Sequence, residues 1–150
     1  MEASINIAGS FLVFAFAALG SALGIGSAAK VAAACAKKRI KEGGKPVMSW
    51  MIFVGAPMSQ LFYGMIMLIL LLGKNYPADM WIKLLPLEIG FGLAIGASAW
   101  MQGLVGALCC DALNENDGKG LTFYIMLIGV VESTALLAFI LGYVFLPAVG

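Results

Sequence analysis

The residues best placed to do chemistry are a carboxylate and a few amides and hydroxyls set in long apolar runs. Glu132 lies close to the middle of GVVESTALLAFIL, Gly129–Leu141; the nearest formal charge before it is Lys119, and none follows. A charge at bilayer depth costs from about 2.5 to above 10 kcal/mol, depending on the scale. Something must offset that cost: a proton on the carboxyl, a bound cation, or polar neighbours. Two other runs carry polar side chains at a matching depth. GAPMSQLFYG, from Gly55, holds Pro57, Ser59, Gln60 and Tyr63, and a later run holds Gln102. At about 1.5 Å of rise per helical residue, Gln60, Gln102 and Glu132 all lie roughly 15–20 Å in from one membrane face. Ala56, Gln60 and Tyr63 also share a helix face, at i, i+4 and i+7.

This set allows two kinds of cargo. A proton carrier needs only an apolar site that favours the neutral acid, and one acceptor. A sodium site needs several oxygens, because the protein must replace the ion's water shell. The candidates are the Glu132 carboxylate, the Gln60 and Gln102 amide oxygens, the Ser59 hydroxyl and a carbonyl near Pro57. Proline has no N–H, so the carbonyl of Phe53 loses its helical partner and the backbone there is loosened. The surplus of oxygens favours Na⁺ over H⁺. Each residue also has a plainer reading, since a membrane Gln or Ser often just bonds a neighbouring helix. Three polar side chains level with a buried acid weigh against it.

The elements that position these residues are four apolar stretches. The chain has 150 residues, is 62% hydrophobic and 11% charged, and has no histidine. Each stretch reaches the roughly 20 helical residues needed to cross a hydrocarbon core, which predicts an all-α, multi-pass membrane protein. The predicted spans are 5–36, 47–73, 84–112 and 121–147. A net charge of +1 points to no nucleic-acid partner. Lys30, Lys37, Lys38, Arg39, Lys41 and Lys45 gather at the first loop, which the positive-inside rule makes cytoplasmic, with both termini outside. MEASINIAGS carries Glu2 and no basic run, so a cleaved signal peptide is not expected. Glu88, near the outer end of span three, is expected at the membrane interface. Cys35, Cys109 and Cys110 form no CxxC pair, so zinc is not expected and free thiols are.

The chain repeats itself. GSALGIG at Gly20–Gly26 lies over GFGLAIG at Gly90–Gly96, and GAPMSQLFYG lies over GVVESTALLA. Two helical hairpins, 1–73 and 84–147, therefore follow each other in the same membrane orientation. That differs from the inverted repeat of many secondary transporters. Met58 falls where Glu132 falls, so the duplicated chain has one mid-membrane acid. Spans one and three are rich in small residues, and Gly20 and Gly24 form a GxxxG suited to close helix packing.

On these residues the chain resembles the duplicated proteolipid subunit, c or K, of V-type and archaeal A-type rotary ATPases, over nearly its whole length. GSALGIGSAAK, GLAIGASAW, VVEST and, most specifically, APMSQLFYG carry the likeness. The resemblance to sodium-pumping members implies that Na⁺ is bound by the Ala56 carbonyl, Ser59, Gln60, Gln102 and Glu132, with the Tyr63 hydroxyl on the carboxylate closing the site. Ser59 stands where threonine is familiar and Ala56 where leucine is; both keep the liganding group. Ser133 follows the acid, as in sodium-type rings of the related F-type family. The resemblance further implies a ring of identical copies in membrane lipid, in a prokaryotic plasma membrane. It would turn against a stator a/I subunit, coupled through central-shaft subunits to ATP hydrolysis elsewhere, with no catalysis in this chain. An H⁺-carrying rotor of the same family is the nearest alternative. A small drug/proton antiporter also has four spans and a buried acid, but the same-orientation repeat and the oxygen-rich level argue against it.

Overall fold

Long runs of Ala, Leu, Met and Gly with few charges leave the backbone no partner in lipid but itself, so each span becomes a helix. The computed structural model describes residues 2–148, with side chains from Ala8 onward except that of Ala78. The side chains of Glu2 and of the first three residues of predicted span one thus lie outside the described part. The helices are α1 (Glu2–Lys41), α2 (Trp50–Gly55), α3 (Met58–Gly73), α4 (Trp81–Glu115) and α5 (Leu121–Val144), with a 3₁₀ turn at Ala78–Met80 before α4. No strand occurs among the described residues. Four helical stretches, counting α2 and α3 together, are long and apolar enough to cross a membrane. α1 and α4, at 40 and 35 residues, exceed the hydrocarbon core. α1 ends on Lys38, Arg39 and Lys41, cations that suit the negative end of a helix dipole.

Predicted span two is two helices. Pro57 divides α2 from α3, and Ala56 caps the first by donating its N–H to Ile52 at 3.0 Å. The freed Phe53 carbonyl faces Gly106 on α4, where a Cβ would lie 2.9 Å from the oxygen. A glycine there lets the two backbones meet.

The largest interface joins α1 to α4, which run in parallel. A Cβ on Gly20 would strike the Gly96 backbone, and one on Gly103 would strike Gly24. The Gly20/Gly24 motif is therefore occupied by the equivalent helix of the second repeat. α3 runs antiparallel to α1, with Gly64 against Ala17 and Pro57 against Gly24. α5 touches the rest along one thin stripe, where Ile128, Ala135 and Gly142 are buried at seven-residue spacing. Gly142 sits against the Phe91 ring. Large apolar side chains face outward on both α3 and α5, among them Phe62, Ile69, Met126, Val130 and Leu137. Exposed surface of this kind belongs in lipid or against another copy. At the basic end, Arg39 donates to the Asn114 amide oxygen at 3.1 Å and to Asp117 at 2.8 Å, so the two polar loops lie side by side.

The glycine contacts give a sharp expectation. Gly103→Ala would push α1 from α4 and cost about 3 kcal/mol or more, beyond ordinary overpacking. Gly73→Ala, where a Cβ meets nothing within 4 Å, should stay within about 0.5 kcal/mol of wild type. Thermal unfolding of the purified protein in detergent measures both.

Candidate ion site

The site begins where Pro57 breaks the helix. The Ala56 carbonyl turns to Ser59, accepting its N–H at 3.2 Å and its hydroxyl at 3.0 Å. The same hydroxyl lies 3.1 Å from Gln60 Oε1. Gln60 Nε2 donates across to Gln102 Oε1 at 2.9 Å. Gln102 Nε2 in turn donates to the Ile128 carbonyl at 3.1 Å and to Glu132 Oε2 at 3.4 Å. Tyr63 donates its hydroxyl to Glu132 Oε1 at 3.1 Å. Ala56, Ser59, Gln60, Gln102, Glu132 and Tyr63 thus form one continuous hydrogen-bonded chain across the break, α3, α4 and α5.

Burial divides the chain's members. Gln60 and Gln102 are both 0% exposed, while Ser59, Tyr63 and Glu132 are half-buried. The amides sit at the centre of the bundle and the acid at its edge. The Tyr63 ring packs on Phe139 of α5, centroids 5.8 Å apart, which holds the hydroxyl over the carboxylate. A second branch fixes α5 one turn away. Ser98 on α4 donates to the Val131 carbonyl at 3.1 Å, and Thr134 donates to Ser98 at 3.0 Å. Spacing alone gave no hint of this branch, because Ser98 and Thr134 read as ordinary helix residues.

Among the described residues the one ion pair is Arg39–Asp117, at the basic end. Glu132 therefore has no cationic side chain against it. No three His, Cys, Asp or Glu side chains gather there either. The donors available are hard oxygens with one formal charge among them. They fit a hard monovalent cation, whose binding leaves the cluster neutral; a divalent ion would leave net charge in an apolar setting. Each glutamine presents either its oxygen or its N–H groups depending on how the amide is turned. Both amides can thus serve the hydrogen-bonded chain or an ion.

Two sequence expectations need correction. Glu88 does not face outward toward headgroups or water: it is 2% exposed, packed between α1 and α4, and accepts the Ser10 hydroxyl at 2.9 Å. Gly9 makes the room, since a Cβ there would overlap the carboxylate. The polar groups of spans two to four therefore do not all share one level. The available signal was position: Glu88 stands four residues before Gly92 on the buried stripe that later carries Gln102. Ser133, next to the acid, points away and donates to the Val130 carbonyl at 2.7 Å on the exposed face. The three cysteines are free and buried.

Residues 89–145 match the model of one protein family, that of the C subunit of ATP synthase. The match covers well under half of the chain. It takes in the greater part of α4 and the whole of α5, with both Gln102 and Glu132. No curated protein gives a significant match to the chain. Residues 89–145 are therefore similar to the C subunit of ATP synthase, in a chain with four helical stretches long and apolar enough to cross a membrane.

The bond pattern ranks the side chains. Gln102→Leu leaves the buried Gln60 amide without its acceptor and should cost about 2–4 kcal/mol. Tyr63→Phe loses one half-exposed hydrogen bond and should cost about 1 kcal/mol. Thermal midpoints of the two variants, measured without added ions, check the order.

Proposed function

We propose that the chain is the rotor-ring subunit of a V-type ATPase and carries Na⁺ on Glu132, one ion per copy. The match of the second hairpin to the ATP synthase proteolipid supports the coarser part, a membrane rotor-ring subunit of a rotary ATPase. The sodium reading is carried by one observation. Four further oxygen donors, the Ala56 carbonyl, Ser59, Gln60 and Gln102, are linked in series to a carboxylate with no basic partner. A proton needs none of them beyond a single acceptor.

In this reading Na⁺ is the cargo. It takes one Glu132 oxygen, both amide oxygens, the Ser59 hydroxyl and the Ala56 carbonyl, and the amides turn to meet it. The Tyr63 hydroxyl holds the other carboxylate oxygen, keeping the acid folded inward while the site crosses lipid. The ring turns with its neutralised carboxylates until a stator arginine pairs with Glu132 and the ion leaves. The placement of the acid supports this: it lies at the bundle edge on a helix held by one narrow stripe. The ring itself is supported by the outward apolar faces of α3 and α5 beside the glycine-locked α1–α4 pair. The paired polar loops around Arg39 and Asp117 would meet the central shaft on the cytoplasmic side, with both termini opposite.

A hydrophobic carbodiimide, which adds to protonated carboxyls in apolar surroundings, tests the proposal. It should modify Glu132 in the purified ring, and Na⁺ at constant pH should protect it. Gln60→Ala and Gln102→Ala should each weaken that protection about tenfold or more while the ring still assembles. Labelling that follows pH alone, with no sodium effect, makes the chain a proton rotor. Protection by lipophilic drug cations and not by Na⁺ makes it an antiporter.

A further inference from the structure

One buried hydroxyl near the site has no partner. Ser21 on α1 is 2% exposed and its Oγ makes no hydrogen bond. That is unusual for a helical serine, which can turn back onto its own helix. Ser27 does so, to Leu23 at 2.7 Å, as do Ser59 and Ser133 to carbonyls three residues earlier. Ser21 instead points its hydroxyl into the bundle.

The packing says what lies opposite. α1 and the α2–α3 segment run antiparallel, with Ala17 against Gly64 and Gly24 against Pro57. Ser21 stands between Ala17 and Gly24, as Gln60 stands between Pro57 and Gly64. On the other side Gly20 meets Gly96, and Gly24 meets Ala99 and Gly103, the segment of α4 that holds Gln102. Ser21 is thus level with Gln60 on α3 and about one turn from Gln102 on α4. Gln60 has a matching spare donor: of its two N–H groups, the structure uses one, on Gln102 Oε1. A fully buried amide and a fully buried hydroxyl at one level each hold an unused hydrogen-bonding valence.

We propose that Ser21 is a positioning residue for the loaded site: it accepts an N–H of Gln60 when the Gln60 and Gln102 oxygens turn to the cation. Gln102 Oε1 is then committed to the ion, and Gln60 Nε2 needs another acceptor. Ser21 supplies it from α1, which gives no ion ligand. Pairing the orphaned hydroxyl in this way favours ion entry. The role rests on the sodium reading above.

Opposite signs in two measurements test it. Ser21→Ala, and the near-isosteric but weakly accepting Ser21→Cys, should each lower the sodium affinity read from carbodiimide protection of Glu132 by about fivefold to tenfold. The thermal midpoint of the ion-free ring should stay level or rise, because an orphaned buried hydroxyl is removed. Unchanged affinity in both variants, with wild type still protected by Na⁺, overturns the role of Ser21 and leaves the sodium reading standing. A fall in ion-free stability that accounts for the affinity loss also overturns it, since the hydroxyl then only packs. Absence of sodium protection in wild type removes the sodium reading first, and this role with it.

Discussion

The arrangement depends on a carboxylate that sits among apolar helices without a basic partner. In a low-dielectric interior an unpaired polar group is expensive, and each bond that satisfies one is correspondingly strong. The two oxygens of Glu132 are therefore met from different helices, Tyr63 on α3 and Gln102 on α4. Gln102 is itself held by Gln60 and by the Ile128 carbonyl. The chain of bonds ends on the Ala56 carbonyl, at the helix break beside Pro57, where it accepts both the N–H and the hydroxyl of Ser59. A helix break within a membrane is tolerated where other groups take up the released backbone, and here the Ser59 side chain and N–H do so.

The same constraint explains the packing. The α1–α4 pair is locked by glycines in backbone contact, a joint that small side-chain motions cannot open. α3 leans on that pair through Gly64. α5, by contrast, fully buries only Ile128, Ala135 and Gly142, with the residues beside that stripe half-buried and the rest exposed. The neutral amides are thus built into the rigid part, and the charged group rides on the element with least attachment. Glu132 can exchange partners without opening the core, while Gln60 and Gln102 cannot move far from their stations.

Much of this was legible in the sequence because hydrophobic length and helical rise are nearly context-free. Four spans and the common depth of Gln60, Gln102 and Glu132 follow from counting residues, and the loosened backbone at Pro57 from its missing N–H. Glu88 was not legible, because an acid near a span's end is ordinarily drawn to the interface. What places it inside is a void on another helix, at Gly9, facing Ser10. Ser21 escaped notice for a related reason. A serine among alanines and glycines signals close packing, and only the relation of three helices reveals that its hydroxyl is unspent. Ser133 failed the other way: its neighbour in sequence is the acid, but adjacent helical residues face about 100° apart.

The duplication gives the site its logic. Ala56, Ser59, Gln60 and Tyr63 come from the first hairpin, and Gln102 and Glu132 from the second. Neither hairpin holds the full set. In the first copy the position that aligns with the acid is Met58, which is exposed on the outer side of α3. An acid kept there would face outward, away from Gln60 and every other donor, with nothing to offset its charge. The first copy thus holds neutral oxygens and no carboxylate, and the second holds the acid and one amide. The consequence is one acid, Glu132, met by polar side chains from both hairpins. In the sodium reading proposed above, a site of that composition would discriminate by coordination and not by charge alone.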